Sequence, residues 1–196
     1  MKSRNLILIV VLGGILLLGG CACSGYNSLV NLDENVKNKW ANVQSDYQRR
    51  ADLIPNLVNT VKGAANFEQE TLTKVIEARS KATSVNINAG ELTPEKMAQF
   101  QQAQGELSGA LSRLLVSVER YPELKANQNF LDLQKQLEGT ENRIKVSRND
   151  FNGSVQQYNQ TVRKFPNNLF AGAFGFPVRP PFQADAGAER APSVQF

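Results

Sequence analysis

The chain contains no histidine. That absence removes Ser-His-Asp and Cys-His catalysis, His-ligated zinc and the Glu-x-x-His di-iron pattern, each of which needs an imidazole as base or ligand. Its two cysteines, Cys21 and Cys23, both lie against the N-terminal apolar run. The rest of the sequence therefore offers no disulfide, no catalytic thiolate and no Cys-rich metal site. No glycine-rich phosphate loop occurs either. Gly13-Gly14 and Gly19-Gly20 belong to the apolar run, and Gly172-x-x-Gly175 lacks the lysine that should follow. With 22 basic against 18 acidic residues, the formal charge of +4 is too small for the dense basic patch that nucleic acid requires. Acids are missing altogether before Asp33. No stretch alternates apolar and polar residues for long enough to propose a sheet, and 196 residues suit one domain.

What is present begins with an anchor. Lys2 and Arg4 precede an uncharged stretch whose apolar heart is Leu6 to Leu18, LILIVVLGGILLL. Thirteen residues are short for about 30 Å of hydrocarbon, but extension through Gly-Gly-Cys-Ala-Cys to Tyr26 reaches the usual length of about 20. Residues 1–25 therefore read either as an uncleaved signal-anchor helix or as a signal peptide. In the second case Leu18-Gly19-Gly20-Cys21 resembles a bacterial lipobox, and Cys21 becomes an acylated N-terminus. The early positive charges keep an uncleaved N-terminus cytoplasmic and send the rest to the extracytoplasmic, periplasmic side. Both alternatives tether the domain to the lipid bilayer.

Beyond the anchor the period is helical. Leu29, Leu32, Val36, Trp40, Val43, Tyr47, Ala51 and Ile54 recur at steps of three or four. Pro55 predicts a kink or break, with Asp52 as a cap for the restart, and the pattern resumes through Val61 to stop near Gly63. A shorter helix follows with Asn66 as N-cap and Gln69 three residues on, carrying Leu72, Val75, Ile76 and Arg79. Thr93-Pro94-Glu95 opens the next helix with a hydroxyl cap, a proline at the first position and an acid in the first turn. Its stripe runs from Met97 to Val118 and ends at Pro122. Then Phe130, Leu137, Ile144, Phe151, Tyr158 and Phe165 fall at seven-residue intervals, with Val155 and Val162 at the four-residue offset. A strict heptad keeps one seam facing a partner for about 54 Å. Glu141 and Arg148 occupy seam slots, either leaning to the rim or forming a polar layer that fixes register. The fold class expected is all-α: an antiparallel bundle of about four long helices after an N-terminal membrane segment, over residues 26–182. From Pro166 the composition turns to Gly, Ala, Pro and Phe. Phe170, Phe174, Phe176 and Phe182 are too many aromatics for a free linker and are expected to dock on the bundle, whereas 183–196 reads as a disordered tail.

Three blocks carry a resemblance: YNSLVNLDENVKNKWANVQSDYQRRADLIPNLVNTVKGAA, RLLVSVERYPELKANQNFLDLQKQLEGTENRIKVSRNDFN, and YNQTVRKFPNN followed by FGF. They closely resemble LemA-family proteins over nearly all of Tyr26 to Phe182. The resemblance implies a bacterial, membrane-anchored bundle of long antiparallel helices without an established molecular role. It also implies an accessory part in envelope assemblies, with membrane peptidase-type proteins among the neighbours.

The densest polar signature surrounds the proline. Arg49 and Arg50 beside Asp52 read either as a bidentate site for a carboxylate or phosphate, or as structural pairs to Asp52, Glu138 or Glu141 on neighbouring helices. Glu138 and Glu141, three apart on one face before Arg143, with Gly139 admitting a close neighbour, read either as an acid–base or metal pair or, more commonly, as salt-bridged surface carboxylates. Trp40, Tyr47 and Phe67 read as core. No cofactor is implied. The function expected is that of a membrane-tethered, non-enzymatic bundle that presents its surface to envelope proteins or lipid. The alternatives are a carboxylate-based, metal-dependent module and a homo-oligomer joined through exposed seam residues.

Overall fold

The computed structural model describes residues 2–63 and 67–183, although before Ser24 it describes few side chains beyond Leu12. All regular structure among them is helical, without a strand. Helix α1 spans Lys2–Lys62, α2 Gln69–Ser84, α3 Pro94–Val118, the single turn α4 Pro122–Lys125 and α5 Gln128–Arg163, with 3₁₀ turns at Ala89–Glu91 and Asn167–Leu169. Among the residues whose side chains are described, no helix is long and apolar enough to cross a membrane. Nearly all side chains of the Leu6–Leu18 run lie outside that set, as do Cys21, the lipidation candidate, and residues 184–196, the tail read as disordered.

Local chemistry sets the helix ends. The Thr93 hydroxyl accepts from the Lys96 amide at 3.3 Å with Pro94 in the first position, and Asn127 Oδ1 accepts from the amides of Asn129 and Phe130. The expected Asn66 cap lies outside the described residues. At the start of α2, Glu68 makes no side-chain cap, because its carboxylate is held by Thr71 and by Arg120 from the end of α3.

Pairings across the helices establish their directions. Lys39 meets Asp150 and Arg50 meets Glu141, so α1 and α5 are antiparallel; Glu68 with Arg120 and Lys81 with Glu106 make α2 and α3 antiparallel. The buried residues form two apolar clusters. One gathers Leu29, Trp40, Val43, Met97, Phe100, Phe151, Tyr158 and Phe182 around a cage of aromatic rings. The other gathers Ile54, Leu57, Leu72, Val75, Leu107, Leu114, Phe130 and Leu137. Trp40 and Tyr47 are buried in the first and Phe67 in the second. The indole N–H of Trp40 is not stranded, since it donates to the Ile87 carbonyl at 2.8 Å.

Two expectations fail instructively. Pro55 does not break its helix: α1 continues through it, and Asp52 sits mid-helix accepting from Gln48 rather than capping a restart. A proline at 55 supplies no amide for the carbonyl four residues earlier, that of Ala51. Arg79 of α2 fills the vacancy, its Nε donating to Ala51 O at 2.8 Å. A neighbouring helix has replaced the missing rung. The heptad seam also stops early. Phe130, Leu137, Ile144, Phe151 and Tyr158 are buried, but α5 ends at Arg163 and Phe165 is 79% exposed. On α2, Ile76 likewise faces outward, while Leu72 and Val75 point in.

After α5 the chain turns and runs back along the bundle as an extended strap, residues 177–183. Phe176 and Phe182 are buried, Phe170 is half-buried, and Phe174 remains 52% exposed, so only part of the expected aromatic docking occurs. Asn152 exchanges two hydrogen bonds with the backbone of Phe182, and Asn159 exchanges two with Arg179.

The Arg79 bond predicts a non-additive pair. Arg79→Ala is expected to cost about 1 kcal/mol in urea unfolding. In a Pro55→Ala background, where the new amide at position 55 serves Ala51 O, most of that cost should vanish. Strictly additive losses would refute the replacement.

Candidate functional site

Arg50 occupies an apolar-stripe position of α1, between Tyr47 and Ile54, and its side chain is 1% exposed. Burying a guanidinium costs several kcal/mol unless its donors are filled. Nη1 donates to Glu141 Oε1 at 2.6 Å and to Ser108 Oγ at 2.8 Å; Nη2 donates to Gln104 Oε1 at 2.6 Å and to its carbonyl at 3.4 Å. The Tyr47 ring lies 5.0 Å from the guanidinium carbon, and Nε has no partner. Gln104 in turn donates to the Ala82 carbonyl at the end of α2. One cation thereby joins α1, α3 and α5 directly, and α2 through Gln104.

A recess of about 330 Å³ opens beside this group, lined by Tyr47, Arg50, Gln104, Ser108, Glu141 and Arg148 among others. Its chemistry is limited. The Ser108 hydroxyl is bonded to a group that cannot accept a proton, so nothing there activates it as a nucleophile. Glu141, its side chain 47% exposed, is committed to Arg50. Among the described residues no group of three or more His, Cys, Asp or Glu is placed to hold a metal ion.

Of the residues singled out by sequence, the structure brings together Arg50 and Glu141 alone. Arg49 is exposed on the next face of α1, and Asp52 stays with Gln48. Glu138 accepts from Gln134 along its own helix, and Arg143 is exposed beside the α1–α5 groove with Asp46 and Asp150. Gly139 faces open space rather than a closely approaching helix. Arg148 leans over the Phe182 ring at 4.9 Å and donates to the Gln183 carbonyl, so it fastens the strap from the rim.

Sequence reasoning missed Gln104 and Ser108. Gln104 left a signal, as an amide standing in the apolar stripe between Phe100 and Leu107. It also missed an ion pair buried on both sides. Arg179 of the strap donates to Asp33 Oδ1 at 3.0 Å and to the Gly90 carbonyl at 3.2 Å, while Lys37 holds the other Asp33 oxygen at 3.0 Å. Asp33 does sit on the α1 stripe, four residues after Leu29, but nothing periodic marks Arg179. Beside the pair, Tyr158 donates its hydroxyl to the Pro177 carbonyl at 2.9 Å. Burial, with the Asp33 charge, raises the Tyr158 pKa above the ordinary phenol value, against the opposing pull of Arg179.

The architecture is therefore a long antiparallel helical bundle with an internal polar layer and a docked C-terminal strap. Residues 39–196 match the LemA family, and the chain belongs to it. It is similar to magnetosome protein MamQ 2 of Paramagnetospirillum magneticum and magnetosome protein MamQ of Magnetospirillum gryphiswaldense, each 26% identical over 168 residues, which cover 77% of this chain and 62% of the relative. Protein LemA of Metamycoplasma hominis is 26% identical over 146 residues, covering 74% of this chain and 63% of that one. The chain spans less than two thirds of the length of these relatives.

Two outcomes test the polar groups. Glu141→Ala should lower unfolding stability by about 1–2 kcal/mol by leaving a buried cation short of its anion, discounted for the exposure of the carboxylate. Glu138→Ala, by contrast, should cost under about 0.5 kcal/mol; equal losses would refute the assignment. The raised Tyr158 pKa means the unfolded chain releases this proton first. Stability from this group is complete below the ordinary phenol pKa near 10 and falls as pH rises beyond it. Ultraviolet titration should show a late-ionising tyrosine, and Tyr158→Phe should abolish that late step.

Proposed function

We propose that this LemA-family chain is a membrane-tethered, non-enzymatic helical bundle of the bacterial envelope, working as an accessory protein whose long helical faces engage partner proteins. The observation that carries this reading is the continuity of α1: the backbone that bears the apolar run Leu6–Leu18 is the same unbroken helix that supplies Trp40, Arg50 and Leu57 to the bundle. An anchor joined in this way holds the bundle upright at a bilayer surface, where a flexible linker would let it drift. The commitment of Glu141 to a guanidinium supports a structural polar layer over carboxylate chemistry. The bundle lies on the extracytoplasmic side, on the charge argument of Lys2 and Arg4. Its partners are lipid, envelope proteins of the membrane peptidase type, and a second copy of itself.

The tether is tested by alkaline extraction of membranes from cells expressing the full chain. The protein should stay with the pellet, and mass spectrometry of its mature N-terminus should show either intact Met1 or acylated Cys21. Release into the supernatant with an unmodified N-terminus beyond Cys23 would overturn the proposal.

A further inference from the structure

Large apolar side chains that remain exposed are unevenly distributed. Past the N-terminal run, where Leu12 is exposed, Ile76, Val116 and Val146 stand singly on the helices, the ordinary condition of a protein surface, and Val178 is exposed on the strap. Tyr26, Phe165, Leu169 and Phe174 instead cluster at one end. The loop after α5 wraps α1 there: the Tyr26 ring meets Phe174 and Phe176 edge-on at 5.6 Å, and a Cβ at Gly25 would collide with Asn167 and press on the Phe170 ring. Phe165 and Leu169 are 79% and 72% exposed, with no described partner ring. Grouped exposure of this kind marks a contact surface.

We infer that the 165–174 loop, with Tyr26, forms an aromatic collar that lies in the interfacial layer of the lipid bilayer; this rests on the tether proposed above. Three observations select lipid as the occupant. The first is position. Gly25 lies seven residues past Leu18 on the same helix, about 10 Å along its axis. The run Leu6–Leu18 covers only about 20 Å of a hydrocarbon layer about 30 Å thick, so the membrane boundary falls near residues 24–26, level with the loop. Acylation at Cys21 would put the same level at the surface. The second is side-chain type, since aromatic residues favour the boundary between acyl chains and headgroups. The third is charge. No Asp or Glu occurs before Asp33 or between Asp150 and Asp185, and of the basic residues within that second stretch Arg163 and Lys164 are free of the buried Arg179–Asp33 pair. Arg163 and Lys164 are exposed beside Phe165. A collar free of acids and flanked by two exposed cations suits the phosphates of a headgroup layer.

Brominated acyl chains quench tryptophan only at short range, and the native Trp40 provides a built-in reference. It is buried and stands fourteen residues beyond Tyr26, about 21 Å further along α1. Full-length wild type, Phe165→Trp, Leu169→Trp and Val116→Trp would be reconstituted in phosphatidylcholine–phosphatidylglycerol vesicles with and without dibromo chains, and flotation recorded. All three substituted positions are exposed, so the fold should tolerate them. The expected result is that every protein floats, that Phe165→Trp and Leu169→Trp lose about half of their added emission to bromine, and that wild type and Val116→Trp lose almost none. Flotation with Phe165→Trp and Leu169→Trp unquenched would overturn the collar while leaving the tether standing, and would point to a protein partner for the patch. Quenching at Val116 as well would mean a bundle lying flat, which also overturns it. Failure to float would overturn the tether and the collar together.

Discussion

A single buried cation sets the register of the bundle. Arg50 stands where the two apolar clusters meet, and so do its partners: Gln104 lies between Phe100 of one cluster and Leu107 of the other, and Glu141 between Ile144 and Leu137. Apolar seams are forgiving, because leucines tolerate many partners at similar cost. A guanidinium is not. Slipping α3 or α5 by one turn, about 5.4 Å, would carry Gln104 or Glu141 out of reach and leave charge buried without compensation. The polar layer thus excludes alternative stackings that the heptad pattern alone would allow, the best-attested use of buried polar groups in helical assemblies.

The strap solves a different geometric problem. An extended, proline-rich segment has few amides to offer, and Pro177, Pro180 and Pro181 offer none. The two clamps on α5 are seven residues apart, about 10.5 Å along a helix, whereas Arg179 and Phe182 are three apart, about 9–10 Å in an extended chain. The two spacings agree, so Asn152 and Asn159 grip the strap at matching intervals, each satisfying one N–H and one carbonyl. At the grips themselves, Phe182 completes the ring cage around Trp40, and Arg179 reaches Asp33. The cluster around Trp40 is therefore closed by residues that follow the last helix.

How much of this was legible in the sequence follows from which features are periodic. The stripes of α1 and α3 and the heptads of α5 gave the helices, their antiparallel arrangement and most of the core, because burial on one face leaves a repeat of three to four residues. Arg50 and Glu141 could be singled out because they interrupt those repeats. Pro55 misled because its local rule is correct but its remedy is tertiary: Arg79 of α2 supplies the donor that the proline lacks. The reciprocal bonds of Asn152 and Asn159 left no mark, since an asparagine on a helix face looks solvated until its partner is known. Phe165 kept the heptad beat after the helix had ended, and a beat alone does not report where the backbone stops.

A helix that enters the core as one piece with its N-terminal apolar run has a mechanical consequence. Tilt of α1 is transmitted to Arg50, and through Gln104, Ser108 and Glu141 to α3 and α5, without an intervening hinge. The strap adds a second coupling at the near end, where Arg179 ties the chain after α5 to Asp33 on α1. Helix α1 therefore carries its N-terminal run into the bundle without a break, and two guanidiniums fasten the later elements to it. Arg50 and Asp33 hold these ties, which explains why charge stands at two positions where an apolar residue would have satisfied the stripe.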